Sequence, residues 1–333
     1  MWQGIHITVP KGRIKHKAVN NILPYNDYGR WLSRKFPYKV QKISVDAGFS
    51  CPNRDGKISR GGCIYCNNQS FNPADCSPEK SVTRQLEEGK TFFARKYPEM
   101  KYMAYFQAFT NTYAPLHHLR RLYEEALEVD NVVGLVIGTR PDCVDTPLLD
   151  YLQQLNSQTM VTVEYGIETS NDNTLKLINR GHDFATTRRA VEMTAERGIT
   201  VGGHVIIGLP GETAEESVRQ AEDMSRLPLD ILKIHQMQII KGTRLAEIFA
   251  EKPFPLYSPE EYMEVIVCYL EHLRPDMVVE RFASQSPKDM LIAPHWGLKN
   301  HELTNLIVNK MKKEGRRQGS LAISKSLSAG MSL

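Results

Sequence analysis

A chain of 333 residues that is 41% apolar can bury a sizeable core without disulfides, and it contains no apolar run of transmembrane length. The stretch MWQGIHITVPKGRIKHK lacks the compact apolar segment of a secretory signal, so a soluble cytoplasmic protein with no membrane partner is expected. The net charge of +4 does not by itself imply nucleic acid, but residues 1–42 carry nine Lys/Arg against Asp27 alone, and residues 299–317 carry six against Glu302 and Glu314. Basic ends around an acidic middle suit contact with a polyanion; solvated charge on loose ends is the plainer reading of the same pattern.

In chain order, a basic N-terminal arm (residues 1–37) precedes six β-rich stretches. These lie near Val40–Asp46, Lys101–Phe109, Val132–Gly138, Met160–Gly166, Thr200–Ile207 and Ile231–Gln238, each followed by a helical pattern. Ser77-Pro78-Glu79 offers an N-cap with Pro at the first helical position, while Thr213-x-x-Glu216 and Ser258-Pro259-x-Glu261 read as capping boxes. Successive β–α units imply a parallel sheet, and runs such as VVGLVIG and VGGHVIIG are apolar on both faces, as helix-covered strands should be. The expected fold is α/β, a partial (β/α)6 TIM-like barrel over residues 38–275, with its chemistry on loops at the C-terminal ends of the strands. Residues 276–333, with Val278-Val279-Glu280 and a helical stretch at 299–314, read as a C-terminal extension and basic tail.

Six cysteines in a cytosolic chain point to metal or catalysis rather than disulfides. Cys51, Cys63 and Cys66 fall within sixteen residues just after the first strand, in a loop with Gly56, Gly61 and Gly62. The two-residue spacing from Cys63 to Cys66 lets two thiolates reach one metal centre, and three ligands on a four-iron cluster leave one iron open. The rival is a structural zinc site using Cys51, Cys63, Cys66 and Cys76, although zinc modules usually carry two Cys pairs and only one is present here. The position at the exit of a strand in a βα series favours the cluster. Cys268, in the apolar run MEVIVCYLEHL, reads as core.

The segments CPNRDGKISRGGCIYCN, YFQAFTNTYAP, GTRPDC, INRGHDF, HVIIGLPGET and LIAPHWGLK together resemble the radical S-adenosylmethionine (SAM) superfamily. More narrowly they resemble the YhcC/YtqA-like family, whose core is similar to that of the Elongator catalytic subunit. The resemblance runs from about Tyr25 to Gly319. It implies a radical SAM barrel with a [4Fe–4S] cluster on Cys51, Cys63 and Cys66, and S-adenosyl-L-methionine chelated at the open iron. It further implies reductive cleavage of SAM to a 5′-deoxyadenosyl radical that abstracts hydrogen from a substrate. An electron donor such as flavodoxin or ferredoxin and a tRNA wobble-uridine substrate follow from the same resemblance. Three departures stand out. Eleven residues separate the first two cysteines where the superfamily commonly has three, position 168 is Glu where relatives often carry Gln, and an acetyltransferase-like second domain does not fit in the length. A radical SAM enzyme acting on a small metabolite, or a zinc-stabilised RNA-binding protein, is the alternative.

Within that frame, Gln107, Thr110 and Asn111 occupy the place of the superfamily's glycine-rich turn, which holds the amino group of SAM. Arg140 emerges at the rim of the third strand, where a guanidinium can fork onto a carboxylate or phosphate. Cys143 is either a substrate-facing thiol or an inert buried cysteine. Glu164, Gly166 and Glu168 alternate onto one face of the fourth strand, and Glu164 or Glu168 is expected to touch SAM's ribose or amino group. Arg180 is the candidate for the SAM carboxylate. Backbone groups from Val205 through Ile206 to Gly208 are expected beside the adenine, with His204 a satisfied core histidine. Lys233, His235 and Met237 share a face of the sixth strand, where a Lys–His pair is unusual for packing and suits substrate binding or proton movement. Lys310, Lys312, Lys313, Arg316 and Arg317 are placed to meet RNA phosphates.

Overall fold

The computed structural model describes residues 23–322 apart from Phe71, Ala74, Asp75, Lys96 and Pro98, so Lys11, Arg13, Lys15 and Lys17 of the basic arm, and Lys325, lie outside the described residues. Helix α1 (Tyr28–Lys35) precedes β1 (Val40–Val45), α2 (Val82–Ala94), β2 (Lys101–Phe106), α3 (Leu116–Leu127) and β3 (Val132–Thr139). Next come α4 (Thr146–Asn156), β4 (Met160–Glu168), α5 (Asp172–Leu177), α6 (Phe184–Ala195), β5 (Thr200–Ile207), α7 (Ala214–Arg226) and β6 (Ile231–Gln236). The chain continues through β7 (Ile239–Ile240), α8 (Arg244–Glu251), α9 (Pro259–His272), β8 (Val278–Arg281), β9 (Leu291–Ala293) and α10 (Asn300–Glu314).

All six predicted strands form and pair in parallel in chain order. Strand β8 joins beyond β6 as a seventh, and the sheet curls into a half-barrel. Four residues are too few to display a period, which is why Val278–Arg281 reads in sequence as an appendage. In the fold Ile231 pairs with Val278 and Leu232 with Val279. Strands β7 and β9 make a separate antiparallel pair. No helix among the described residues is long and apolar enough to cross a membrane.

Both predicted capping boxes form. Glu216 N donates to Thr213 Oγ1 at 3.2 Å and Thr213 N to Glu216 Oε2 at 2.8 Å, and Ser258 and Glu261 exchange the same pair of bonds. The Ser77-Pro78 signal marks a turn instead. Lys80 N donates to Ser77 O at 3.0 Å, and α2 starts at Val82 with Ser81 as its cap, accepting from Arg84 N at 3.1 Å.

Alternation along the strands separates two environments. Ile43, Phe106, Ile137, Val163, Val205 and Ile234 face outward into the main core beneath the helices. Inside the half-barrel, Leu32 and Phe36 pack beside Val40, Met103, Val136 and Met160 as an apolar plug. The interior also holds a charged ring drawn from four strands. Lys42 Nζ lies 2.9 Å from Glu164 Oε1 and 2.6 Å from Glu280 Oε2; Lys233 Nζ lies 2.6 Å from Glu164 Oε2 and 3.4 Å from Glu280 Oε1. Each carboxylate thus touches both ammonium groups, the condition under which buried charge is tolerated. Because Lys42 is on β1 and Glu280 on β8, the ring also ties the two edges of the sheet together.

Candidate active site

The loop leaving β1 is shaped by its own backbone. Arg54 N and Asp55 N both donate to Cys51 O, Gly62 N donates to Asn53 O at 2.8 Å, and Cys66 N to Cys63 O at 3.0 Å. It is stitched to the turn after α5, where Asn179 adopts φ 54°. Asn179 Nδ2 donates to Gly62 O at 2.8 Å, Asn53 Nδ2 to Asn179 O at 2.6 Å, and Ile64 N to Ile178 O at 3.0 Å. Cys51, Cys63 and Cys66 thereby line one cavity of about 300 Å³ at the C-terminal ends of the strands.

Cys63 Sγ accepts from Arg180 Nη1 at 3.5 Å and from Asn53 Nδ2 at 3.6 Å, and Arg54 Nη2 donates to Cys66 O. Burial, then the neighbouring Cys63, pushes the Cys66 thiol up to about 11. Three thiols on one wall, backed by two guanidinium groups, with Arg180 Nε and Asn53 Oδ1 buried without partners, fit an electron-rich group held by thiolates. Cys76 does not join them. It lines a second cavity with Gln69 and Asn72, and its thiol donates to Ser44 O at 3.2 Å, so the four-cysteine zinc set is not assembled. Among the described residues no three His, Cys, Asp or Glu side chains converge as ligands of a single ion.

Several predicted rim residues gather at the cavity: Gln107, Thr110, Arg140, Glu164, Glu168, Arg180, Ile206 and His235 all line it. Their partners are more specific than sequence could show. Arg140 grips Asp142 through Nε at 2.8 Å and Nη2 at 2.7 Å, and its Nη2 also donates to Arg180 O at 2.8 Å. Arg180 lies 3.4 Å from Glu168 and donates to Gly166 O. A Cβ on Gly166 would sit 2.5 Å from Arg180 Nη2 and 2.6 Å from Glu168 Oε1, so a side chain here would displace this ion pair. Glu168 itself has φ 69° at an irregularity in the β4–β5 register, and Phe109 on the rim has φ 60°. Such left-handed non-glycine residues concentrate where a surrounding structure over-determines them.

Other predicted residues are elsewhere. Asn111 does not line the cavity; its Nδ2 donates to Gly138 O at 2.8 Å and fixes the turn after β2. Val205 faces the helices, and Gly208, at φ 90°, abuts the Tyr257 ring. Cys143 lines a separate cavity with Lys57 and Tyr113, and burial followed by Asp142 pushes its thiol up to about 12. Lys233 belongs to the charged ring, where burial draws it down to about 8 despite Glu164 and Glu280. Burial alone would raise the Glu164 carboxyl, but Lys233, Lys42 and His204 hold it well below the carboxylate range. Both its oxygens are taken. Lys310 pairs with Glu264 and Glu314, and Arg316 with Glu264, Glu271 and Glu314, so these two members of the predicted RNA-contacting set are engaged within the fold.

Of the wall formed by β5, β6, β8 and residues 284–286, the sequence pointed to β5 and β6, whereas β8 and residues 284–286 were hidden in it. His204 and His235 stack with ring centroids 5.4 Å apart, His204 Nε2 donates to Glu164 Oε2 at 3.0 Å, and burial first of all lowers both imidazoles. Arg281 Nη2 donates to His235 Nε2 at 3.0 Å. Ser284 and Ser286 complete the wall, the former exchanging bonds with Gln236 at 2.9 Å and the latter donating to Gln238 Oε1 at 2.8 Å. The available signal was Arg281 itself, an inward charge following Val278-Val279, the same kind of cue that marks Lys233.

A parallel half-barrel with a cysteine-lined cavity at its C-terminal rim defines a class of enzyme. The sequence profile of the Radical SAM superfamily matches residues 55–223 and that of the Radical SAM C-terminal domain residues 229–313. The chain belongs to the radical SAM superfamily and is a radical SAM enzyme. Among its relatives, the uncharacterized protein YtqA of Bacillus subtilis is 34% identical over 90% of this chain and 95% of its own length. Protein YhcC of Escherichia coli is 37% identical over 81% and 87%. The tRNA uridine(34) acetyltransferase of Methanocaldococcus infernus is 29% identical over 58% of this chain and 37% of its own. A solved structure of M. infernus Elp3, lacking its N-terminus, superposes with a TM-score of 0.62 at 20% identity, covering 84% of this chain and 64% of that one; it shares the fold.

Proposed function

We propose that Cys51, Cys63 and Cys66 hold a [4Fe–4S] cluster, that SAM binds beside it in the same cavity, and that the substrate is a tRNA wobble uridine. The observation that carries the cofactor reading is the meeting of exactly those three thiols, and not Cys76, on the wall of one cavity. When bound, such a cluster supplies the electron for reductive cleavage of the SAM sulfonium; an external donor such as flavodoxin or ferredoxin would supply it in turn.

The chain's own residues divide the remaining work. Arg180 steadies the Cys63 thiolate while Gly166 and Glu168 hold its guanidinium in place. Glu168, rather than the fully engaged Glu164, is the carboxylate offered to SAM's polar groups. Arg140 Nη1, buried without a partner, is offered to the SAM carboxylate, with Gln107 and Thr110 beside it on the rim. Asn111, Val205 and Gly208 act by shaping backbone around the rim. His235 faces the substrate side, and Lys233 acts through the ring beneath it.

The tRNA reading is supported by similarity to a tRNA uridine(34) acetyltransferase and by the exposed Lys312, Lys313 and Arg317. Its test is stimulation. Anaerobically reconstituted protein given dithionite and SAM should release more 5′-deoxyadenosine when bulk tRNA lacking its final wobble modification is added. No stimulation at low salt, with the protein fully loaded with iron, would remove tRNA as the substrate.

A further inference from the structure

We propose that the wall opposite the cysteine loop is a receptor for an oxyanion of the substrate, a carboxylate or a phosphate, with Arg281 as its principal donor. This rests on the reading that the substrate enters the cavity described above. The argument begins with charge. The half-barrel interior gathers Lys42, Lys233 and Arg281 against Glu164 and Glu280. The two lysines and two glutamates close their ring on one another, which leaves Arg281 as the uncompensated charge. Among the described residues no carboxylate lies within ion-pair distance of it.

The two carboxylates that line the cavity are committed elsewhere, Glu164 to the ring and Glu168 to Arg180. The cavity's other guanidinium groups have their own partners, Arg140 on Asp142, Arg180 on Glu168 and Arg54 on Cys66 O; Arg140 Nη1 and Arg180 Nε are also without acceptors, but those two groups, unlike Arg281, have a carboxylate beside them. Arg281 instead donates to His235 Nε2 at 3.0 Å. Because a guanidinium cannot accept, His235 is neutral here with its proton on Nδ1, and it positions Arg281 without neutralising it. Arg281 Nε is buried with no acceptor. A cation without a counter-charge, holding an unused donor in a cavity, is costly unless a ligand supplies the acceptor. Ser284, Gln285 and Ser286 line the same wall, with their donors turned to Gln236, Leu298 O and Gln238, so the anion's charge falls to Arg281. The cysteine loop follows β1 and Arg281 ends β8, so opposite edges of the sheet carry the two sites, and a substrate anchored at Arg281 faces the cysteine wall across one cavity.

Calorimetric titration of the reconstituted full-length protein with inorganic phosphate and with acetate reads the site directly. The wild type is expected to bind at least one, with affinity falling roughly tenfold or more in Arg281→Gln and less in Arg281→Lys, both checked for an unchanged thermal midpoint. Preference for phosphate assigns the anion to a nucleotide, and preference for acetate to a small carboxylic acid. Wild-type protein that binds neither, or binding that Arg281→Gln leaves unchanged, would overturn the proposal. Failure of the wild type to form 5′-deoxyadenosine would count against the cofactor reading alone, because the anion titration does not depend on turnover.

Discussion

Arg180 shows what a single residue's surroundings can decide. Its guanidinium lies among Cys63 Sγ, Glu168 and Gly166 O, so it acts on the cysteine wall more directly than the sequence suggested. A cation donating to a ligating sulfur stabilises the more negative, reduced state of a cluster. Arg180→Gln is therefore expected to retain iron yet move the cluster midpoint to a more negative potential, as read by redox titration followed by electron paramagnetic resonance. An unchanged midpoint would deny Arg180 this role. The motif INRGH marked the position, but its partner lies 117 residues away and only the fold brings them together. Cys143 teaches the opposite lesson. The sequence could not separate a working thiol from an inert one, and the fold puts it in another cavity with its thiol held protonated. Cys143→Ser should leave SAM cleavage within about twofold of wild type, whereas a loss of tenfold or more would return it to the site.

At the scale of elements, the charged ring explains why strands β1, β4, β6 and β8 carry inward charges. Glu164 and Lys233 were visible as anomalies on predicted core strands, since alternation alone places them inward. Lys42 and Glu280 were not: Lys42 sits among other basic residues on a strand whose first three positions are only half-buried, and Glu280 is on a strand of four residues. Glu164→Gln should cost about 3–5 kcal/mol, because it leaves two ammonium groups underpaired in the interior. The same carboxyl makes stability depend on pH. Its folded value is held below its ordinary value of 4.5, so its contribution is complete above that value and is lost as pH falls through the lower folded one. Urea midpoints between pH 6 and 3 should fall more steeply for wild type than for Glu164→Gln; parallel curves would show that the ring does not titrate with unfolding.

For the whole molecule, parallel order and a cavity at the strand C-termini followed from β–α alternation, since each crossover must return the chain to the same end of the sheet. The seventh strand did not follow. Its role comes from closure: β8 pairs with β6, Lys42 reaches Glu280 across the open side, and Asp27 bridges to Val279 just before the α1 plug begins. Charge at the C-terminal end was also overread, because Lys310 and Arg316 neutralise acidic side chains of α9 and α10. If tRNA is the ligand, its affinity must still fall linearly in log–log form with salt, with a slope set by the few exposed cations. A salt-independent affinity in filter binding would point to a small substrate. The central claim is nearer the chemistry, that three cysteines on one cavity wall equip this chain to cleave SAM. The most direct measurement is 5′-deoxyadenosine released by anaerobically reconstituted protein with dithionite and SAM, beside a Cys63→Ala variant. Product from the wild type and none from the variant is the predicted result; no product from wild-type protein fully loaded with iron and sulfide would contradict it.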